Sequence, residues 1–176
     1  EELDAFVERV LHTERQQDEQ AAKARDLGTD IHAGVEAVLN GRACPVGLAD
    51  YVMPAVTQMR EQFGTIEATE KVVVGDRCAG RLDAIFNGSG WRTVVDVKTT
   101  SNPPLKGSWF EHKLQLSFYA AAIVPNGHGV HTANVYISTT VPGVVVLDTH
   151  ADWLTTYERG FRPLLDYWCF ANDYQP

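Results

Sequence analysis

The 176 residues, 44% of them hydrophobic, are enough for one hydrophobic core and too few to suggest two, so we expect a single domain over 1–176. No apolar run approaches the roughly 20 residues that cross a bilayer, and no charged-then-apolar leader opens the chain. These features favour a soluble, intracellular, cytoplasmic protein, and the net charge of −8 argues against one that binds nucleic acid through overall basicity.

The first third of the chain predicts helices. Apolar residues spaced at i, i+3 and i+4 indicate an opening helix that ends at Gly28. Thr29 or Asp30 then caps a second helix, which closes at Gly41. A third helix follows from about 50 to 63. We therefore expect N-terminal helices over 1–63, ahead of the rest of the domain.

The middle of the chain changes to β-branched runs separated by glycine-rich turns, which predict strands. Three of them form an antiparallel meander, a helix and two more strands follow, and a helix ends the chain. This order predicts an α/β fold with a mixed central sheet flanked by helices. The expected strands are 65–74, 77–86, 91–99, 132–138 and 144–148. The expected helices are 109–124 and 152–170. After the N-terminal helices, the domain therefore consists of 64–148, with the sheet and the first of these helices, and 149–176, with the C-terminal helix.

Charge and cysteine usage narrow the kind of site. From Lys71 to Lys113 the net charge is +3, so a locally basic face on an acidic body could bind phosphates, although ordinary scatter of surface charge also explains it. The cysteines are odd in number, with no Cys-x-x-Cys spacing, which predicts reduced thiols and no zinc knuckle or iron–sulfur cluster. They are Cys44, Cys78 and Cys169.

The strand around Asp96 and Lys98 carries the most informative pattern. Side chains alternate across a strand, so these two charges share one face of an apolar, β-branched segment. Asp83 occupies a similar position on the preceding strand, and a short turn makes the two strands antiparallel neighbours. Converging carboxylates repel each other, and a divalent cation relieves the repulsion. Such a cation beside a lysine suits phosphodiester hydrolysis. A structural ion pair between Lys98 and either acid is the alternative.

Two further features are compatible with this chemistry. His32 follows a glycine and is expected in the first turn of a helix, where a capping or surface role is the alternative to ligation. Gln115 and Tyr119, at i and i+4, share one face of their helix and could contact a phosphate or orient the lysine. That face could equally be the solvent-exposed one.

Taken in order, four motifs resemble the PD-(D/E)XK nuclease superfamily, specifically its RecB-like exonuclease branch. They are Gly-Thr-x-x-His at 28–32, Gly-Arg-Leu-Asp at 80–83, Asp-Val-Lys-Thr at 96–99 and Gln-x-x-x-Tyr at 115–119. The resemblance implies a restriction-endonuclease-like core and a nuclease that uses Mg²⁺ or Mn²⁺. The third motif has Asp96 where many relatives have Glu, and the iron–sulfur cysteines of some members are missing, so no cluster is predicted.

The resemblance also implies roles for individual residues. His32, Asp83 and Asp96 would be metal ligands, with the Val97 carbonyl as a further oxygen. Lys98 would be the catalytic lysine. The remaining candidates are Gln115 and Tyr119, catalytic residues flanking the site; Glu70, where relatives sometimes have another acid; and Arg81, Thr99, Trp109 and Lys113, expected to contact DNA.

The function expected from these features is a metal-dependent DNA exonuclease that acts on DNA ends or single strands in recombination, repair or phage DNA metabolism. Trp109 and Phe110 could hold a strand because bases stack on aromatic rings, although burial in the core explains them as well. Two alternatives stay open. One is an endonuclease of the same fold, and the other is an inactive module that binds DNA or another partner.

Overall fold

The computed structural model describes residues 22–23, 25–75, 77–88, 90–104, 106–124 and 129–175. The opening helix expected before Gly28, with its apolar face from Leu3 to Leu11, falls almost wholly outside these residues. Helix α1 covers 25–39, and α2 covers Ala49–Phe63, close to the expected 50–63. The described residues contain no helix both long and apolar enough to span a membrane.

A five-stranded mixed sheet forms the centre of the domain, with strand order β1-β2-β3-β4-β5. The first three strands form the expected antiparallel meander, β3 pairs with β4 in parallel, and β4 pairs with β5 antiparallel. The fold class predicted from the sequence is therefore confirmed. The strands are β1 (Thr65–Val74), β2 (Ala79–Asn87), β3 (Arg92–Thr100), β4 (Val130–Ser138) and β5 (Val145–His150).

Helix α3 (Phe110–Ile123) makes the crossover that a parallel β3–β4 pair requires. Helices α1 and α2 pack on one face of the sheet, against residues such as Val95 and Val97. Helix α3 packs on the other face, with Val94 and Leu116 in its core. Because the middle of β3 is covered on both faces, the polar side chains of Thr93 and Asp96 are enclosed by protein.

Gly28 does not end a helix, contrary to the expectation from sequence. Residues 25–39 form one helix that runs through Gly28, so His32 lies about two turns inside α1 and not in a first turn. A Cβ atom at Gly28 would lie 2.6 Å from Oγ1 of Thr99 on β3. The glycine is therefore explained by the close approach of α1 to the sheet, a packing role that leaves the helix intact.

The C-terminal helix covers the expected region without a gap, but it contains a π-helical turn that the sequence did not predict. It consists of α4 (Trp153–Thr156), a π-helical turn (Tyr157–Phe161) and α5 (Arg162–Ala171). Pro163, in the first turn of α5, has no N–H to donate to a preceding carbonyl. The wider turn just before it changes the hydrogen-bond pattern at that point and places Gly160 against Leu114 of α3.

Candidate active site

The site lies where β2 and β3 separate. Their regular pairing extends from Asn87↔Arg92 to Ala84↔Val95. At the next position Oδ2 of Asp83 accepts a hydrogen bond of 2.6 Å from the backbone N–H of Val97. The carboxylate thus takes the place of a backbone acceptor at the fork, which fixes Asp83 beside the neighbouring strand.

Asp96 and Lys98 lie on the α3 side of β3, as the alternation of side chains predicts. Asp96 is 3% exposed, and its Oδ2 is 2.8 Å from Nζ of Lys98. The amide of Asn134 on β4 donates to the same oxygen at 3.3 Å. Two donors therefore hold one oxygen of the Asp96 carboxylate, a charge-assisted arrangement that offsets the cost of its burial.

A chain of hydrogen bonds joins Lys98 to α3. Nζ of Lys98 donates to Oε1 of Gln115 at 2.9 Å, and Nε2 of Gln115 donates to the hydroxyl of Tyr119 at 2.8 Å. The Gln–Tyr face predicted from the i, i+4 spacing thus faces the sheet and not solvent. Its contacts hold the lysine ammonium beside Asp96.

His32 approaches the site from α1, with Nδ1 3.9 Å from Oδ2 of Asp83. Burial lowers the pKa of this imidazole below its usual value, against the opposing influence of the Asp96 charge. The neutral form that burial favours is the one that ligates metal ions. His32 therefore lies beside the acids and not at a helix cap.

Both carboxyl groups have unusual proton affinities. Burial raises the pKa of Asp83 to about 6, although the hydrogen bond from Val97 opposes the shift. Burial also raises the pKa of Asp96 to about 6, Lys98 opposes this, and the negative charge of Asp83 adds to it. Perturbed acids of this kind are characteristic of sites where charge is compensated by a ligand or used in chemistry.

A cleft of about 600 Å³ opens beside Asp83 and His32. Thr99 lines it, as do Arg81 and Glu70, whose side chains form an ion pair of 2.7 Å. Glu70 has a positive φ of 49°, an uncommon conformation for a residue with a side chain. Two of the expected DNA-contact residues, Arg81 and Thr99, therefore share a cleft with Asp83.

The other two expected DNA-contact residues, Trp109 and Lys113, do not line this cleft. Trp109, 40% exposed, immediately precedes α3 and packs edge-on against the rings of His112 and Tyr136. The charge of Lys113 acts on Asp148 of β5. Both residues are thus associated with the N-terminal end of α3 and the β4–β5 side of the sheet.

A known protein family matches more than half of the chain. The family model of the PD-(D/E)XK nuclease superfamily matches residues 47–151, more than half of the chain. The chain belongs to the PD-(D/E)XK nuclease superfamily. The matched segment includes β1 to β5 and α3, and with them Asp83, Asp96 and Lys98.

No curated protein matches the chain. Among solved structures, the crystal structure of SSO0001 is similar at a TM-score of 0.40 with 19% sequence identity. The similarity covers 85% of this chain and 66% of that one, so this chain spans just under two thirds of the other protein. The match is to a superfamily of nucleases, whose members generally use a divalent metal ion.

The donor set fits such an ion. Among the described residues no three His, Cys, Asp or Glu side chains are already grouped as a metal site. However, the charges of Asp83 and Asp96 repel each other, and α1 brings Nδ1 of His32 to 3.9 Å from Asp83. Two carboxylates with raised pKa values and a neutral imidazole are chemically suited to a hard divalent cation, whose binding releases their protons.

Several polar neighbours of Asp96 were not predicted from the sequence. His112 on α3 lies within electrostatic range of Asp96 and Lys98, and Nδ1 of its ring is 2.9 Å from the hydroxyl of Tyr136. Asn134 and His150 form a buried pair behind Asp96. A signal was present in β4, where polar residues alternate with Ala133, Val135 and Ile137. They are Thr132, Asn134, Tyr136 and Ser138.

Proposed function

We propose that this PD-(D/E)XK protein is a Mg²⁺- or Mn²⁺-dependent DNA exonuclease of the RecB-like branch. Its substrates would be DNA ends or single strands in recombination, repair or phage DNA metabolism. One observation carries the proposal: Nζ of Lys98 lies 2.8 Å from Asp96 and 2.9 Å from Gln115, and its charge also acts on the partly buried Asp83. The RecB-like assignment and the exonuclease mode rest on the four motifs, with His32 and Gln115 both beside the acids.

Asp83, Asp96 and His32 would hold the metal ion, with the Val97 carbonyl as a further oxygen ligand. When bound, the ion supplies a Lewis acid for the scissile phosphate and lowers the pKa of a water molecule. The hydrogen bond from Val97 keeps Asp83 against β3. The two acids then remain on adjoining strands, without a large rearrangement of the sheet.

Lys98 would act directly on the reacting groups. Its ammonium donates to Asp96 and Gln115, and a phosphate oxygen or attacking water brought beside Asp96 would come within reach of the same donor. A positioned ammonium stabilises negative charge that develops on the phosphate, and a buried site strengthens this effect. Gln115 and Tyr119 would keep the lysine oriented during that step.

The cleft would give the DNA backbone a route to Asp83 and His32. Arg81 and Thr99 line it together with Arg25, and each can donate to phosphate oxygens. Trp109 and Lys113 would contact a more distant part of the strand, because they lie by the N-terminal end of α3. The Glu70–Arg81 ion pair would open as Arg81 exchanges a carboxylate for a phosphate.

The test is digestion of linear DNA labelled at one end, with Mn²⁺, with Mn²⁺ plus chelator, and with Lys98→Ala as the control for contaminating nucleases. Progressive loss of the label or shortening from an end, abolished by chelator and by Lys98→Ala, is the expected result. Covalently closed circular DNA separates the modes of cleavage, since an exonuclease leaves it intact. Cutting of the circle would replace the exonuclease assignment with an endonuclease, and no metal-dependent cleavage of either DNA would refute the proposed function.

A further inference from the structure

A buried hydrogen-bond chain runs from Asp96 away from the cleft. Asn134 is fully buried, is paired with Asp96 in the parallel β3–β4 register, and donates from Nδ2 to Oδ2 of Asp96 at 3.3 Å. Nε2 of His150 lies 3.1 Å from Oδ1 of Asn134, and His150 is 5% exposed. Three polar groups on three adjacent strands are thus connected inside the protein.

The direction of the chain follows from hydrogen-bond chemistry. An ionised carboxylate only accepts, so the nitrogen of the Asn134 amide must face Asp96. The amide oxygen also only accepts, so the contact with His150 requires a hydrogen on Nε2. The imidazole therefore fixes which way the amide points, and the amide in turn supplies a donor to Asp96.

The far end of the chain is His150, which lies on β5. Nδ1 of His150 is 3.8 Å from Oδ2 of Asp148, which is too long for a hydrogen bond, and that oxygen accepts a hydrogen bond from the backbone N–H of Ser108. The hydrogen-bonded chain therefore comprises Asp96, Asn134 and His150. Since burying unpaired polar groups is costly, the bonds between these three buried side chains favour one arrangement of them.

We propose that Asn134 and His150 are positioning residues for the metal site, and that they act by holding Asp96 in the orientation that ligates the ion. This inference rests on the proposed function, because it assigns Asp96 as a ligand. Outer hydrogen-bond partners of metal ligands affect metal affinity by about 10- to 100-fold. The proposed role is to orient Asp96, while Lys98 and the ion act on the substrate.

The principal test compares Asn134→Leu with Thr132→Val by titration of each protein with Mn²⁺ in a calorimeter. Thr132 is a matched control, because it is buried on the same strand and its hydroxyl contacts the carbonyl of His150 without reaching Asp96. We expect Asn134→Leu to weaken Mn²⁺ binding by about 10- to 100-fold. Thr132→Val should bind Mn²⁺ as the unaltered protein does, even if both substitutions lower the unfolding temperature.

A second pair of variants keeps the test decisive if Asn134→Leu does not fold. His150→Gln retains a nitrogen donor near the position of Nε2, whereas His150→Met removes it. We expect the glutamine variant to bind Mn²⁺ with nearly unaltered affinity and the methionine variant to bind more weakly. The Mn²⁺ concentration that half-saturates DNA cleavage should shift in the same order.

The outcomes separate this inference from the proposed function. If the unaltered protein binds Mn²⁺ and cleaves DNA, but the Asn134 and His150 variants bind Mn²⁺ as tightly as Thr132→Val, the positioning role is wrong and the nuclease assignment survives. If the unaltered protein neither binds Mn²⁺ nor cleaves DNA, both fail. Weakened binding by Asn134→Leu and His150→Met, with recovery in His150→Gln, supports the positioning role.

Discussion

The backbone N–H of Val97 donates a hydrogen bond of 2.6 Å to the Asp83 carboxylate, at the point where the β2–β3 pairing gives way to a fork. A metal-ligand candidate on one strand is thereby tied to the backbone of the strand that carries Asp96 and Lys98. Burial raises the pKa of both acids, and the hydrogen bond from Val97 opposes that shift at Asp83.

Replacing Asp83 by Asn should stabilise the metal-free protein at neutral pH. The pKa of Asp83 is raised to about 6 from an ordinary value of 3.8, so the folded state binds protons more tightly than the unfolded state. The carboxylate therefore destabilises the fold increasingly as the pH rises from about 4 to about 6. Above that pH the destabilisation keeps a constant size. Thermal unfolding in chelator should show a gain of about 1–3 kcal/mol at pH 8 and almost none at pH 4.

Asp148→Asn is a control that should change the stability of the fold in the opposite direction. Burial tends to raise the pKa of Asp148, but the hydrogen bond from the backbone N–H of Ser108, together with the nearby charge of Lys113, prevails and lowers it. Its carboxylate therefore stabilises the fold above the ordinary aspartate pKa, and this contribution is lost as the pH falls through the lowered value. Asn at position 148 should reduce stability at pH 8, and equal responses of the two variants would contradict the assigned electrostatics.

Lys98→Ala should remove cleavage while leaving metal binding in place. The ammonium is the donor placed beside Asp96, and loss of one such donor lowers turnover by about 10²- to 10³-fold. The variant should bind Mn²⁺ at least as tightly as the unaltered protein, because the Lys98 ammonium no longer competes with the ion for Asp96. Single-turnover cleavage and calorimetry measure the two effects, with the exposed Lys71→Ala as the control for loss of one charge.

Gln115→Met and Tyr119→Phe should have graded effects on cleavage. Gln115 contacts Lys98 directly, whereas Tyr119 reaches it only through Gln115. We expect single-turnover rates to fall by about 10- to 100-fold for Gln115→Met, and by less than about 10-fold for Tyr119→Phe. A larger loss from Tyr119→Phe than from Gln115→Met would show that the tyrosine hydroxyl does not act through the glutamine.

Gly28→Ala tests the close packing of α1 on β3. In an ordinary helix interior this substitution stabilises by about 1 kcal/mol, but here the added Cβ would meet Oγ1 of Thr99 at 2.6 Å. We expect it to destabilise the fold and to weaken Mn²⁺ binding by displacing His32, which lies one turn further along α1. Combination with Thr99→Ala removes the clash and should restore stability.

The two substitutions at positions 28 and 99 should therefore couple by about 0.5–3 kcal/mol in denaturant unfolding. Gly28→Ala and Thr99→Ala together would then be more stable than the sum of their separate effects. Additive effects would mean that α1 moves freely away from Thr99. In that case the glycine would not set the distance from His32 to the acids.

Local pattern alone was sufficient for the sheet and for the centre of the site. Runs of β-branched residues between glycine-rich turns gave β1 with its observed ends, and most other boundaries to within about two residues. The two-residue period of a strand placed Asp96 and Lys98 on one face, and the helical period placed Gln115 and Tyr119 together. These relationships depend on neighbours in sequence, which is why the sequence by itself determined them.

The tertiary structure decided what depends on contacts between distant segments. Gly28 looked like a helix end because nothing nearby in sequence indicates that α1 packs against Thr99, 71 positions later. The support of Asp96 by Asn134 likewise needs the parallel register that α3 imposes between β3 and β4. Packing and register across such separations are set by the whole core, and only the folded chain brings these groups to hydrogen-bond distance.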